Sequence, residues 1–179
     1  MPTYVSLLRG INVSGKNRIA MAELRALYER HGHHDVRTHL QSGNVVSRVA
    51  MRTAHRVEHA ITTAIAADLG LEVPVLVRTS TELRHVVDAN PFVAVGGDTK
   101  ALHVTFLATA ARASVASAID GRAFAPDEFR VAGREVYVSC PDGYGRTKIT
   151  NTWFERKLGV VATTRNWATV TALVALAAS

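Results

Sequence analysis

Residues 36–49 read Val36-Arg37-Thr38-His39-Leu40-Gln41-Ser42-Gly43-Asn44-Val45-Val46-Ser47-Arg48-Val49, and this stretch decides the fold. Two β-prone runs, Val36 to Leu40 and Asn44 to Val49, are joined at Gln41-Ser42-Gly43, residues that suit a tight turn, so the runs pair as a hairpin. Outward from it lie two helical runs. Met21, Leu24, Leu27 and Tyr28 recur at helical spacing before Gly32, and Val57, Ile61, Ala64, Ile65 and Leu69 share one stripe that stops at Gly70. Outside these come Thr3 to Ile11 and Val73 to Val77, short, apolar and strand-like. The order is βαββαβ. A short helix from Thr81 follows and ends before Pro91, because the residue preceding a proline avoids helical geometry.

The same order recurs further on: a strand at Leu102 to Leu107, a helix from about Ala111 to Ile119, and strands Phe129 to Val131 and Glu135 to Cys140 around Ala132-Gly133. A helix from about Thr150 to Leu158, an extended piece at Val160 to Ala162 and a last helix from Asn166 or Trp167 complete it. No residue-level repeat accompanies this repeat of element order. The periodicity breaks near Pro91 to Lys100, at Gly96-Gly97-Asp98, which sets the halves at 1–93 and 100–179. The expected fold is α+β: two ferredoxin-like βαββαβ halves with mainly antiparallel sheets and helices packed on them. Right-handed crossovers then place Arg9 to Asn17 beside Gln41 to Asn44, and Pro141 to Lys148 beside Thr163 to Trp167.

Composition narrows the function classes. A chain of 179 residues, 47% hydrophobic and 20% charged, is globular, and no apolar run is long enough to span a bilayer. Met1-Pro2-Thr3-Tyr4-Val5 lacks the order of a signal peptide, so a cytoplasmic protein is expected. Cys140 is the only cysteine and ends an apolar strand, where it reads as a small buried hydrophobe. The net charge of +6 is uneven: residues 1–52 hold eight Lys/Arg against three Asp/Glu, and residues 134–179 hold six against three. Basic ends around a net acidic middle favour an anionic ligand or surface.

Two predicted clusters gather the unusual polar residues. The first holds Arg9, Asn12, Lys16, Asn17 and Arg18 with Gln41, Ser42 and Asn44. A strand, a glycine-bearing loop and a helix start there offer backbone N–H groups to phosphate or carboxylate; the plainer reading leaves Gly10 and Gly15 as loop shapers and Asn17 as a helix cap. Gly10 to Asn17 nearly spells the phosphate-loop motif G-x-x-x-x-G-K-[ST], but Asn17 replaces the hydroxyl, and the element order predicts an antiparallel sheet. The second cluster joins Asp142 to Lys148, with Arg146 and Lys148, to Asn151, Glu155, Thr164, Arg165, Asn166 and Trp167. There too the plainer reading makes Thr150 and Thr164 or Asn166 caps, with Trp167 and Phe154 in the core.

His55-Arg56-Val57-Glu58-His59 matches the zinc pattern H-x-x-E-H, yet so short a pattern arises by chance and no third ligand stands out, so neither metal nor cofactor is called for. His33 and His34 follow a helix-ending glycine and read as an exposed loop. The third strand, Val45-Val46-Ser47, lacks the aromatics on which ferredoxin-like RNA binders stack bases.

The runs Leu8-Arg9-Gly10-Ile11-Asn12-Val13 with Gly15-Lys16-Asn17, Gln41 to Val46, Gly145 to Asn151, Phe154 to Gly159 and Ala162 to Trp167 together resemble the bacterial domain-of-unknown-function family numbered sixteen ninety-seven. The resemblance implies a two-part α+β fold and brings no activity, cofactor or catalytic residue. Ser47 departs from it, standing where an aromatic or larger apolar residue is expected.

Three functions stay open. The leading one is a binding protein for an anionic ligand, nucleic acid backbone or phosphorylated metabolite, through Arg9, Lys16, Arg146, Lys148 and Arg165. The second is an enzyme acting on a phosphorylated or carboxylated small molecule, with Glu155 or Asp142 as base. The third is a structural or subunit-interaction module. Oligomeric state is left open.

Overall fold

The computed structural model describes residues 1–93 and 96–179. The expected boundary between halves takes in residues 94 and 95, which lie outside the described residues. The first half runs β1 (Thr3–Leu8), α1 (Met21–Arg30), β2 (His34–His39), β3 (Asn44–Arg48), α2 (Ala54–Leu69), β4 (Val75–Thr79) and α3 (Ser80–Asp88). The second runs β5 (Leu102–Leu107), α4 (Ala113–Ser117), β6 (Glu128–Ala132), β7 (Glu135–Ser139), α5 (Asn151–Leu158), β8 (Ala162–Asn166) and α6 (Trp167–Ala178). Two four-stranded antiparallel sheets result, ordered β2-β3-β1-β4 and β6-β7-β5-β8, so the α+β reading holds. The compact units are Met1–His85 with Ala172–Ser179, and Val86–Thr171. Among the described residues no helix is long and apolar enough to cross a membrane.

Alternation along β1 sends Tyr4, Ser6 and Leu8 to one face, where Tyr4 and Leu8 join Val45, Val75 and Val77 in a core closed by Leu24, Leu27 and Tyr28 of α1 and Val57, Ile61 and Ile65 of α2. The other face, Val5, Leu7, Val46 and Leu76, is buried as well. In the second unit, Leu107, Val136, Val138 and Ala162 meet Phe154 and Leu158 of α5. Cys140 is buried with them, and burial raises its thiol pKa.

The two halves repeat residue by residue once strand register is used as the ruler. Val5 pairs with Arg78 as Val104 pairs with Arg165, and Tyr4 with Thr79 as His103 with Asn166. At the strand ends the matched residues do the same work: Thr79 Oγ1 accepts from Glu82 N at 3.1 Å to start α3, and Asn166 Oδ1 accepts from Thr169 N at 2.8 Å to start α6. Arg78 and Arg165 are both buried, at 1% and 7% exposure. The sequence hides this repeat because Val77-Arg78-Thr79-Ser80 and Thr164-Arg165-Asn166-Trp167 share only the arginine.

Two expectations are corrected. The last strand covers Ala162–Asn166, so Thr163, Thr164 and Arg165 belong to β8 and not to a loop; β-branched Thr163 and Thr164 pair there with Phe106 and Thr105. His33 is buried at 2% exposure, while His34 is exposed. His33 Nδ1 lies 2.8 Å from Ser47 Oγ, and the ring packs edge-on against Tyr28 with centroids 4.9 Å apart. That contact accounts for Ser47: an aromatic there would displace the imidazole.

Burial, and then the charges of His31 and His34, push the His33 pKa down to about 4. The folded chain therefore holds His33 neutral where the unfolded chain, with an ordinary pKa near 6.5, protonates it. Stability contributed by the neutral form is complete above about pH 6.5 and is lost as pH falls toward 4, at no more than about 1.4 kcal/mol per pH unit. Urea unfolding across this window should show that slope in the native chain and a smaller one in His33→Gln; equal slopes would assign the pH dependence elsewhere.

Candidate functional site

The first predicted cluster assembles as topology requires. Leu8 N donates to Gly43 O at 2.8 Å, which brings the loop after β1 against the β2–β3 turn. Gly43, at φ +80°, leaves no room for a side chain, since a Cβ there would stand 2.7 Å from Leu8 Cβ and 2.8 Å from Ile11 Cδ1. Between Gly10 and Asn17 five residues are left-handed: Gly10, Asn12, Ser14, Gly15 and Asn17. Left-handed backbone costs a non-glycine residue roughly 1 kcal/mol. At Asn12 the side chain offsets it by clamping three groups: Nδ2 donates to Ile19 O at 3.0 Å and to Gln41 O at 2.8 Å, and Oδ1 accepts from Ile19 N at 2.9 Å.

Asn17 does not cap a helix. Its Nδ2 donates to Gly10 O at 3.2 Å, and α1 starts four residues later after Ala20, whose methyl cannot cap. The first N–H groups of α1 therefore have no side-chain acceptor from the N-cap. On the loop that leads into the helix lies a depression of about 350 Å³ lined by Asn12, Gly15, Arg18, Ile19, Ala20 and Gln41. Lys16 and Arg18 are exposed, and Arg18 Nη2 would lie 3.6 Å from a Cβ on Gly15, so its guanidinium sits over that glycine. No carboxylate occurs between Arg9 and Ala20. Arg9 is half-buried, and Ser42 and Asn44 work inside the hairpin, Asn44 Nδ2 donating to His39 O at 2.8 Å and to Ser42 Oγ at 3.0 Å.

The second cluster is assembled differently. Thr105 and Thr164 hydroxyls lie 2.8 Å apart, Thr164 Oγ1 donates to Asn151 Oδ1 at 3.0 Å, and Asn151 Nδ2 donates to Ala162 O at 2.9 Å. Arg165 Nη1 donates to Thr163 Oγ1 at 2.7 Å and Thr164 O at 3.0 Å, and burial lowers its guanidinium pKa to about 10. Asn166 caps α6. Glu155 Oε1 accepts from Ala162 N at 2.9 Å, which commits the carboxylate considered as a base. Tyr144 stacks on His103 at 4.5 Å and its hydroxyl accepts from Asn151 N at 2.9 Å, pinning the loop; burial lowers the His103 pKa. Arg146 and Lys148 are exposed and line a 240 Å³ depression together with Asp127 and Asp142, so its charges balance.

In the zinc-like pattern, His55 and His59 are exposed while Glu58 Oε2 accepts from Val77 N at 3.2 Å. Sequence reasoning missed the buried arginine Arg78 and the uncapped start of α1. The second could have been found from Ala20, which has no acceptor where Met21 opens the helical spacing.

Residues 1–137 match the family described as "Protein of unknown function (DUF1697)", and the chain belongs to that family. Among solved structures it is similar to "the structure of conserved bacterial protein SP0830 from Streptococcus pneumoniae", at 19% identity over 98% of each chain with a TM-score of 0.73. That likeness concerns the fold. Comparison with curated proteins gives no match.

If Asn12 is the clamp, Asn12→Ala removes three hydrogen bonds of about 1 kcal/mol each and leaves a strained alanine, a loss of about 3 kcal/mol. Asn12→Gly should lose about 1 kcal/mol less, because glycine accepts the left-handed backbone. Chemical denaturation of both variants measures the difference, and an Asn12→Ala variant as stable as the native chain would refute the clamp.

Proposed function

We propose that the chain binds a ligand bearing phosphate or carboxylate at the mouth of the loop between β1 and α1. One observation carries this reading: the 350 Å³ depression is lined by Arg18 and by Ala20, the residue that precedes α1 without capping it, with Lys16 nearby in sequence and the first acid, Glu23, inside the helix. Helix N-termini carry partial positive charge, and bare N–H groups are donors ready for an anion. Asn12, Gly43 and Asn44 build the site; Lys16, Arg18 and Gln41 stand where a ligand is met. Arg165, Asn151, Thr164 and Asn166 are read as scaffolding of the second half, since they are engaged with one another or with backbone.

The strand order of each half supports reading it as ferredoxin-like, and the lone buried thiol suits a cytoplasmic protein. A phosphorylated metabolite is favoured over nucleic acid backbone, because the depression is local and lined by a single guanidinium.

Titration with inorganic phosphate, a sugar phosphate, a nucleoside monophosphate and duplex DNA, followed by thermal shift, tests this. Binding to the folded chain should raise its melting temperature. Arg18→Ala should weaken the best ligand by about tenfold, as expected for one charge-assisted hydrogen bond, and Lys157→Ala on α5 should not. Unchanged affinity in Arg18→Ala and Lys16→Ala would end the proposal. A steep loss of DNA binding with salt and no small-molecule shift would redirect it to nucleic acid backbone.

A further inference from the structure

The two sheets end in β2, β4, β6 and β8. An edge strand exposes backbone donors and acceptors to any further strand, and proteins blunt such edges. On β2 the register slips between His34 and Arg37, with Asp35 left-handed. On β4 and β8 a helix glutamate takes up a backbone N–H, Glu58 from Val77 and Glu155 from Ala162. β6 carries neither device: its pairing with β7 is regular from Glu128 to Ala132.

The turn Gly133-Arg134 makes Ala132 and Glu135 the closing hydrogen-bonded pair, and alternation then points the N–H and C=O groups of Phe129 and Val131 away from β7. Arg130 Nη1, donating to Phe129 O at 2.9 Å, agrees with that direction. A groove of about 870 Å³ lies along this edge, with Phe129 and Val131 on one side and Ala113 and Ala116 of α4 on the other. In the first half, α1 lies against β2 and buries Leu24, Leu27 and Tyr28; α4 is half as long and lies against α5. The short turn Gly121–Phe124 packs on the Phe129 ring, and among the described residues no helix of the length of α1 covers this outer strand.

We propose that β6 pairs with β6 of a second copy of this chain, antiparallel and centred on Phe129. Charge selects both occupant and register. Centred on Phe129, Glu128 of each copy faces Arg130 of the other, so both pairs are opposite in sign. Centred on Arg130, two arginines would face each other, and centred on Val131, Arg130 would face alanine. An antiparallel pair of identical strands closes on a two-fold axis, so it makes a dimer and not a fibre. On the single chain Arg130 Nη2 stands 3.8 Å from Glu128 Oε2, both exposed, and the guanidinium lies 5.7 Å over the Phe92 ring. Pairing exchanges the glutamate of its own strand for that of the other copy.

Sedimentation velocity of the full chain over a concentration series should show a reversible dimer. Val131→Pro removes an outward N–H without touching the β6–β7 ladder and should abolish it, with circular dichroism unchanged. Glu128→Arg and Arg130→Glu each turn two attractive pairs repulsive and should weaken association by about tenfold, while the double variant restores it. Glu128→Arg and Val131→Pro keep the Arg130–Phe92 contact, so they decide the matter if Arg130→Glu unfolds. A chain monomeric throughout, or a dimer indifferent to Val131→Pro and Glu128→Arg, overturns the proposal.

Discussion

Strand β1 is hydrogen-bonded along both sides and buried on both faces, and the first half is organised by that constraint. A strand so enclosed has no tolerance for a register shift, because moving it by one residue would exchange Tyr4 and Leu8 for Val5 and Leu7 on the helix side. Its register fixes where it ends. Leu8 N bonds Gly43 O, so the chain must leave the sheet beside the β2–β3 turn and then climb to α1 within twelve residues. The left-handed backbone between Gly10 and Asn17 is the consequence of that sharp exit, and Asn12 holds it by bonding both the route to α1 and the turn.

The second half keeps the same scaffold and spends its polar residues differently. At the position of Ser6, β5 carries Thr105, which is drawn into a chain through Thr164 and Asn151 to the Ala162 carbonyl. That chain ties α5 to β8 from inside, and Glu155 ties them again. Donors consumed in this way do not meet solvent ligands, which is why two clusters of similar composition differ in what they offer. The first keeps exposed cations beside a helix start without a side-chain cap; the second closes on itself and leaves Arg146 and Lys148 among carboxylates.

Much of this was legible from the sequence because it depends on period and punctuation. The hairpin at residues 36–49, the stripes of α1 and α2, and the strand Leu102–Leu107 follow from local spacing, and the meeting of loop 9–17 with Gln41 to Asn44 follows from topology alone. What escaped depended on partners distant in sequence. His33 looks like loop because it follows Gly32, yet its environment comes from Ser47 and Tyr28. Thr163 and Thr164 look like a polar loop because their strand character comes from pairing with β5. Asn17 looks like a cap because asparagine has two local uses, and here the left-handed turn won over the helix start.

Arg78 and Arg165 follow the same logic at higher cost. A buried guanidinium is retained only when its donors are met and its desolvation is offset. Each occupies the penultimate position of an edge strand, directly before the residue that caps the next helix, and each reaches back to backbone oxygen of its own strand, Val77 O at 3.1 Å and Thr164 O at 3.0 Å. The guanidinium thus spends donors on carbonyls at the place where a sheet edge stops and a helix begins, while Thr79 and Asn166 meet the helix N–H groups one residue later. Arginine and cap together satisfy both sides of the same junction. A leucine could fill the volume but not bond the carbonyls, and a lysine lacks the fork that can reach two acceptors at once.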